Sequence, residues 1–346
     1  MSDNVLDNVP KVKPFWSPLA EHEVTPPDWL IDGWLPLDSF GVLFGQPSAG
    51  KSFLALDISA IIASGRPSWH GHKTKGEPLP VFYLCGEGKN GLRLRLEAWK
   101  MRGSNSVVFE QVKDNLFISE TSANLTDLDD VERLCESIEK INPKPALIVI
   151  DTLARNFGGQ DENATQAMNA FVNHCDLLRS RLNGMAVLVV HHTGHKERER
   201  PRGSIALIGA SDFAIFAENH ADIVNIKSTR MKDGEPPKPL ALKFERVLVA
   251  KDNEGLGVYS SHLTKADGFE PKPKGLGGLQ ETMMNHLKDL RDASKANGLN
   301  GEVLLADLKE AWRKDGQEVS RIKRTLESLE SRLMVRLSGE VIYLRQ

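Results

Sequence analysis

Gly45-Gln46-Pro47-Ser48-Ala49-Gly50-Lys51-Ser52 fits the G-x-x-x-x-G-K-[ST] phosphate-loop pattern at every position. The apolar run Gly41-Val42-Leu43-Phe44 leads into it as a buried strand does, and the stretch from Phe53 to Ala63 leaves it with helix formers and an apolar face. That context turns a pattern into a mechanism. Glycines reach backbone angles that turn successive N–H groups toward phosphate oxygens, and the helix dipole adds partial positive charge at the same point. Gly45, Gln46, Pro47, Ser48, Ala49, Gly50, Lys51 and Ser52, with Phe53 beside them, form the predicted nucleotide-binding set. Lys51 is expected to reach the β- and γ-phosphates of ATP, and Ser52 to offer its hydroxyl to Mg²⁺.

Working outward, Val81-Phe82-Tyr83-Leu84-Cys85 is expected to be a second buried strand, after a Gly/Pro/His-rich connection from Gly65 to Pro80. It ends in Gly86-Glu87-Gly88, which puts a carboxylate just past a strand end, where nucleotides sit in such sheets. Glu87 is the predicted general base that orients and deprotonates the attacking water. Leu92 to Met101 and Asp127 to Ile141 have helical apolar spacing, and Leu116-Phe117-Ile118 is a short strand. Ala146 to Thr152 supplies an apolar strand ending in Asp151, the carboxylate expected to hold a magnesium-bound water or the loop serine. A polar, glycine-containing stretch from Leu153 to Asn163 precedes a helix from about Thr165 to Leu182. A strand over Ala186 to Val190 stops at His191-His192-Thr193-Gly194-His195. No acidic or cysteine residue accompanies these histidines at zinc spacing, so His191 or His192 is read as a sensor of the γ-phosphate.

The segment Lys196 to Ser204 is charged and contains a proline, as a solvated loop or a phosphate-contacting loop does. Asp222 to Lys227 is a predicted strand with Arg230 and Lys232 just beyond it. Strands at Leu240 to Phe244 and Val247 to Ala250 are expected as antiparallel additions to the sheet.

Composition sets bounds on all of this. The 346 residues suit one large and one small domain, and a net charge of -3 leaves any nucleic-acid contact to local basic patches. Cys85, Cys135 and Cys175 form no C-x-x-C pair, which suits a reducing cytosol and gives no disulfide framework or cysteine zinc site. No apolar run approaches a membrane span, so a cytoplasmic protein without membrane contact is expected. Residues 1–27, with Pro10, Pro14, Pro18, Pro26 and Pro27, are an expected extended arm. Residues 28–265 form the expected ATPase domain, 266–278 a linker, and 279–346 a small domain.

Phosphate loop, Glu87, Asp151, the paired histidines and the basic group after Ile226 occur in the order of a RecA-like ATPase core. Residues 27 to about 262 resemble the RepA-like branch, hexameric replicative helicases carried by plasmids and phages. The resemblance is carried by Trp29 to Trp34, Gly86-Glu87-Gly88, Ile150-Asp151-Thr152 with Asn156 to Asn163, His191-His192 and Arg202-Gly203-Ser204. The core is similar, more distantly, to DnaB-like helicases and to recombinases. The resemblance implies an α/β fold with a mostly parallel central sheet, in a homo-oligomeric ring that binds ATP between subunits. It also implies a catalytic set of Lys51, Glu87, Asp151, His192 and Arg230. Arg230 is the implied trans-acting finger, with Lys232, counted with the nucleotide-binding residues, and Lys227 as partners and Arg202 as a second candidate. The loops after Asp151 and after His192 would face a channel that holds single-stranded DNA, although Glu197 and Glu199 sit in the second and neither offers tryptophan or tyrosine.

Beyond the linker, helical patterns at about Leu279 to Asn297, Gly301 to Lys314 and Glu318 to Leu333 precede a hairpin that pairs Leu333–Leu337 with Val341–Leu344. This resembles a winged helix. Arg321, Lys323, Arg324, Arg332, Arg336 and Arg345 suit a DNA contact, while Glu327 and Glu330 suit protein docking equally. The expected function is an ATP-driven, ring-forming DNA helicase working with other replication proteins. The alternatives are a recombination mediator or helicase loader, and a DNA-binding regulatory ATPase.

Overall fold

The computed structural model describes residues 26–86, 89–141, 143–194, 201–266, 278–296, 298, 300–331 and 334–344. They fall into two compact units, one ending at residue 271 and the other beginning at 272. The expected arm up to residue 25 and most of the expected linker, 267–277, lie outside the described residues.

In the first unit nine strands form one sheet. They are β1 Phe40–Gly45, β2 Val81–Cys85, β3 Leu116–Ile118, β4 Leu147–Asp151, β5 Ala186–His192, β6 Phe213–His220, β7 Ile223–Met231, β8 Leu240–Lys251 and β9 Gly257–Lys265. Their order across the sheet is β9-β8-β7-β6-β1-β5-β4-β2-β3. The six strands from β6 to β3 run parallel, and β7, β8 and β9 extend the sheet antiparallel. The expected α/β, RecA-like core with a mostly parallel sheet is present.

The apolar strand runs have a simple cause: both faces of the sheet are covered. Side chains alternate between two cores, so Val81, Tyr83 and Cys85 of β2 face one and Phe82 and Leu84 the other. Leu147 and Val149 of β4 likewise oppose Ile148 and Ile150. The first core packs under helices α1 Lys51–Ser64, α2 Lys89–Lys100 and α3 Phe109–Asn115, the second under α4 Leu128–Ile141, α5 Thr165–Arg181 and the short α6 Ala206–Ala210. Two short strand pairs, Trp29–Ile31 with Leu35–Pro36 and Ser68–Trp69 with His72–Lys73, join the first core.

Several elements differ from the sequence expectation. β5 continues through His191 and His192, because β1 pairs with it as far as Gly45↔His192. β6 was not among the expected elements, yet it lies directly beside β1 with Phe213 to Phe216 paired to Gly41 to Phe44. β7 runs on to Met231, so Arg230 lies within a strand, opposite Ala214 of β6. Leu240 to Lys251 is one strand and not two. Glu245 and Arg246 interrupt its apolar pattern, but pairing with β9 continues to Lys251↔Gly257 beyond the point where β7 stops pairing. The polar stretch after Asp151 is also partly internal: Leu153–Asn156 is a 3₁₀ turn, and Leu153, Asn156 and Phe157 are buried.

The second unit contains α7 Gly278–Ala296, β10 Val303–Leu304, α8 Leu305–Lys314, α9 Ile322–Ser331, β11 Val335–Ser338 and β12 Val341–Leu344. The strands form a small antiparallel sheet in the order β10-β12-β11, so a short third strand joins the expected hairpin. Met283, Leu287, Leu308, Trp312, Leu329, Val335 and Ile342 make its core. Lys323 and Arg324 are exposed on α9, while Arg321 donates to Glu318 at 2.9 Å.

Candidate nucleotide site

The phosphate loop occupies the turn between β1 and α1. Two glycines are required there by geometry. A Cβ at Gly45 would stand 2.0 Å from the Ala217 carbonyl oxygen, and Gly50 has φ +84° with Val224 and Phe244 against it. Gly50 stands at the N-cap of α1 without a side-chain cap bond, so the first-turn amides of a 14-residue helix remain available to an anion.

Lys51 is buried and curls over its own loop. Its Nζ donates to the carbonyls of Gly45 at 3.0 Å and Gln46 at 2.8 Å. Burial pushes its pKa down to about 8, against an opposing pull from the Asp151 carboxylate. His192, at the end of β5, places Nδ1 at 3.2 Å from the same ammonium. Since the ammonium only donates, Nδ1 accepts and the ring proton is on Nε2. Burial first, and then Lys51, holds His192 below the ordinary histidine pKa, which keeps it neutral. His191 faces the other way and is almost fully buried, with Nε2 donating to the Arg202 carbonyl at 2.8 Å. Burial holds its pKa at about 4. Of the two histidines, only His192 shares the site with Lys51. Gln46 meets Thr193 across the same strand end.

Asp151 ends β4 directly opposite Cys85 of β2. Its Oδ1 accepts from Ser52 Oγ at 3.2 Å and its Oδ2 from Tyr83 Oη at 2.6 Å. Burial and the Asp151 charge raise the Tyr83 pKa, so the phenol remains a donor. A hydroxyl and a carboxylate this close, both hard oxygen donors, fit Mg²⁺. The predicted metal pair of Ser52 and Asp151 is thus brought together. Tyr83 was not among the predicted residues. Its signal was a single tyrosine in an otherwise apolar strand, on the face that alternation shares with Asp151.

Ser48, Ala49, Gly50, Lys51, Ser52, Phe53, Arg95, Thr152, His192 and Phe244 line a cleft of about 380 Å³ at this point. More than half of the chain, residues 8–198, matches the AAA domain family. The chain belongs to the AAA domain family. It is a P-loop ATPase by that membership, with ATP and Mg²⁺ as the ligands such a loop takes. A crystal structure of the RadB recombinase is similar at 14% identity and a TM-score of 0.44, over 60% of this chain and 88% of that one. Among curated proteins no sequence matches.

Arg230, Lys232, Lys227 and Arg202 of this AAA domain chain do not line the cleft. Glu87 lies outside the described residues. Arg230 and Lys232 lie at the opposite end of the sheet. Arg230 is opposite Ala214, which pairs with Val42, so three further residues of β1, about 10 Å, separate that level from Gly45. Arg230 Nε donates to the Ser211 carbonyl at 2.6 Å, and Lys232 pairs with Asp212 at 3.1 Å. Lys227 stands 5.3 Å over the Phe216 ring. Arg202 is nearer the loop, with its amide on the His192 carbonyl at 2.8 Å and its side chain 3.4 Å from Glu162. Arg95 and Phe244 do line the cleft and were not predicted. Neither belongs to a motif, and only the pairing of distant segments brings them there. Among the described residues, no helix is long and apolar enough to cross a membrane.

Proposed function

We propose that this ATPase is a ring-forming DNA helicase that translocates on single-stranded DNA in plasmid or phage replication, hydrolysing ATP at subunit interfaces. The observation that carries the proposal is the separation of Arg230 from the phosphate loop of its own chain. Lys51, His192 and Ser52 line the cleft and Asp151 accepts from Ser52, while Arg230 stands at the far end of the sheet. A second copy of the chain is needed for Arg230 to reach a transferring phosphoryl group, as the resemblance to hexameric helicases implies.

Within this scheme the first-turn amides of α1 and Lys51 bind the triphosphate, and Lys51 exchanges its loop carbonyls for phosphate oxygens. Ser52 and Asp151 hold Mg²⁺, which neutralises charge on the phosphates when bound. Tyr83 fixes the second oxygen of Asp151. His192, neutral and protonated on Nε2, presents a donor toward the γ-phosphate end. Glu87 supplies the general base, and its test is loss of hydrolysis with retention of binding in Glu87→Gln.

The deciding experiment measures ATP turnover by the full chain with and without single-stranded DNA, together with strand displacement from a forked duplex. The helicase is expected to show DNA-stimulated turnover and displacement, both absent in Lys51→Ala. Stimulation without displacement would leave a recombination mediator or loader. Turnover indifferent to DNA would leave a regulatory ATPase, with the C-terminal unit as its docking or promoter-binding module.

A further inference from the structure

The phosphate cradle accounts for one part of the cleft. The remainder is an aromatic rim. Phe53, the residue after the loop serine, meets Phe244 edge to face with ring centroids 5.0 Å apart. The guanidinium of Arg95 lies 4.5 Å above the Phe53 ring. All three side chains are half-buried and border the same cleft as Lys51 and Ser52. Phe244 comes from β8, at the position where pairing with β7 has ended, and its ring abuts Gly50. Two aromatic rings half open to a polar cleft cover less of their area than core packing would. Their position suits a flat ligand group that continues outward from a bound phosphate chain.

We propose that Phe244, backed by Phe53 and Arg95, is the platform on which the nucleobase stacks. The proposal rests on the nucleotide-binding reading of the loop and adds the part of the ligand that the loop does not hold. Stacking is the appropriate chemistry because every base has a π-face and a phenyl ring offers no hydrogen-bonding group to read its edge. Arg95 already lies over the Phe53 ring, whereas Phe244 borders the cleft with no cation over it among the described residues, so Phe244 is the ring placed to take the base. The cation over Phe53 holds that ring in place behind it.

The test compares two ligands that share the phosphate contacts and differ in the base. Mg-ATP and magnesium inorganic triphosphate are titrated calorimetrically into the full-length wild type, Phe244→Ala, Phe244→Leu and Phe244→Trp. Phe244→Leu fills most of the ring's volume without its π-face, so it guards against loss of packing at Phe53. In the wild type, ATP is expected to bind more tightly than inorganic triphosphate. Phe244→Ala and Phe244→Leu are expected to weaken ATP about tenfold while leaving triphosphate unchanged, and Phe244→Trp to retain ATP affinity. Equal weakening of both ligands would make Phe244 a support for the loop and overturn the proposal. So would unchanged ATP affinity in Phe244→Leu, or a wild type that binds both ligands equally. Those outcomes leave nucleotide binding intact, whereas a wild type that binds neither ligand removes the nucleotide reading and this proposal with it.

Discussion

Lys51 shows how one residue's burial becomes a binding property. A lysine with an exposed ammonium would be charged at any physiological pH, but here burial brings the pKa to about 8. A bound triphosphate supplies anionic oxygens to the same nitrogen and raises that value again. The sign follows. Below pH 8 the free protein already carries the proton and binding is pH-independent with respect to Lys51. Above pH 8 binding must take up a proton, so affinity falls as pH rises. Calorimetry at pH 8.5 in two buffers of different ionisation enthalpy is expected to show uptake of about three-quarters of a proton per site, and at pH 6.5 to show little from Lys51. Lys51→Arg, whose guanidinium stays charged, is expected to remove the difference between the two pH values whatever its affinity. Equal proton uptake at both pH values in the wild type would contradict a depressed Lys51.

At the scale of an element, α1 carries the loop and is buried on nearly every side, so its one acidic residue is a problem that the surrounding chain has to solve. Asp57 is 3% exposed. Its carboxylate accepts from Trp69 Nε1 at 2.8 Å, His70 Nε2 at 2.8 Å, Trp99 Nε1 at 2.9 Å and Arg102 Nη1 at 2.6 Å. Burial alone would raise its pKa, but Arg102, His70 and Trp69 together hold it well below the usual carboxylate range. Arg102 also donates to the Leu263 carbonyl of β9 at 2.7 Å, so the cluster ties α1 to the antiparallel end of the sheet. Asp57→Ala would strand a largely buried guanidinium and two indole N–H groups. It is expected to cost about 3–5 kcal/mol in denaturant unfolding. Because the folded carboxylate pKa is depressed, the stability it contributes is present above the unfolded carboxylate range near pH 4 and is lost as pH falls below it. The wild-type advantage over Asp57→Ala should shrink correspondingly in acid. A variant as stable as wild type at pH 7 would remove the cluster's role. This hub also shows why the sequence is only partly legible. The phosphate loop is contiguous, so eight consecutive residues announced it, and Asp151 was flagged by the apolar run it ends. Trp69, Trp99 and Arg102 meet Asp57 only after α2 and a short hairpin have packed on α1, and no local pattern records that meeting. Strand β6 differs from the other buried strands in that its apolar run Phe213 to Ala217 passes into Glu218, Asn219 and His220 without ending at a motif residue that would mark it.

For the whole molecule, the question is how far one chain completes its own site. Residues from β1, α1, β2, β4 and β5 converge on the loop, and those are the residues whose motifs were legible. Arg230 illustrates the limit, because its motif order suggested the nucleotide site while β7 carries it to the far end of the sheet. If it acts on a neighbour's phosphate, every interface takes its loop from one copy and its finger from the next, which is a heterologous, ring-closing arrangement. Lys51→Ala and Arg230→Ala should each be nearly inactive alone, the second by about a thousandfold or more. Mixed and allowed to exchange, the loop of an Arg230→Ala chain can meet the intact Arg230 of a Lys51→Ala chain. Random assortment makes about a quarter of the interfaces complete. Turnover in the mixture is therefore expected to rise well above the sum of the two variants. The control is Arg202→Ala in place of Arg230→Ala. Because Arg202 is tied by its amide to His192 beside its own chain's loop, a role in cis predicts no recovery on mixing with Lys51→Ala. Recovery with Arg202→Ala and none with Arg230→Ala would reassign the finger, and recovery with neither would confine each site to a single chain.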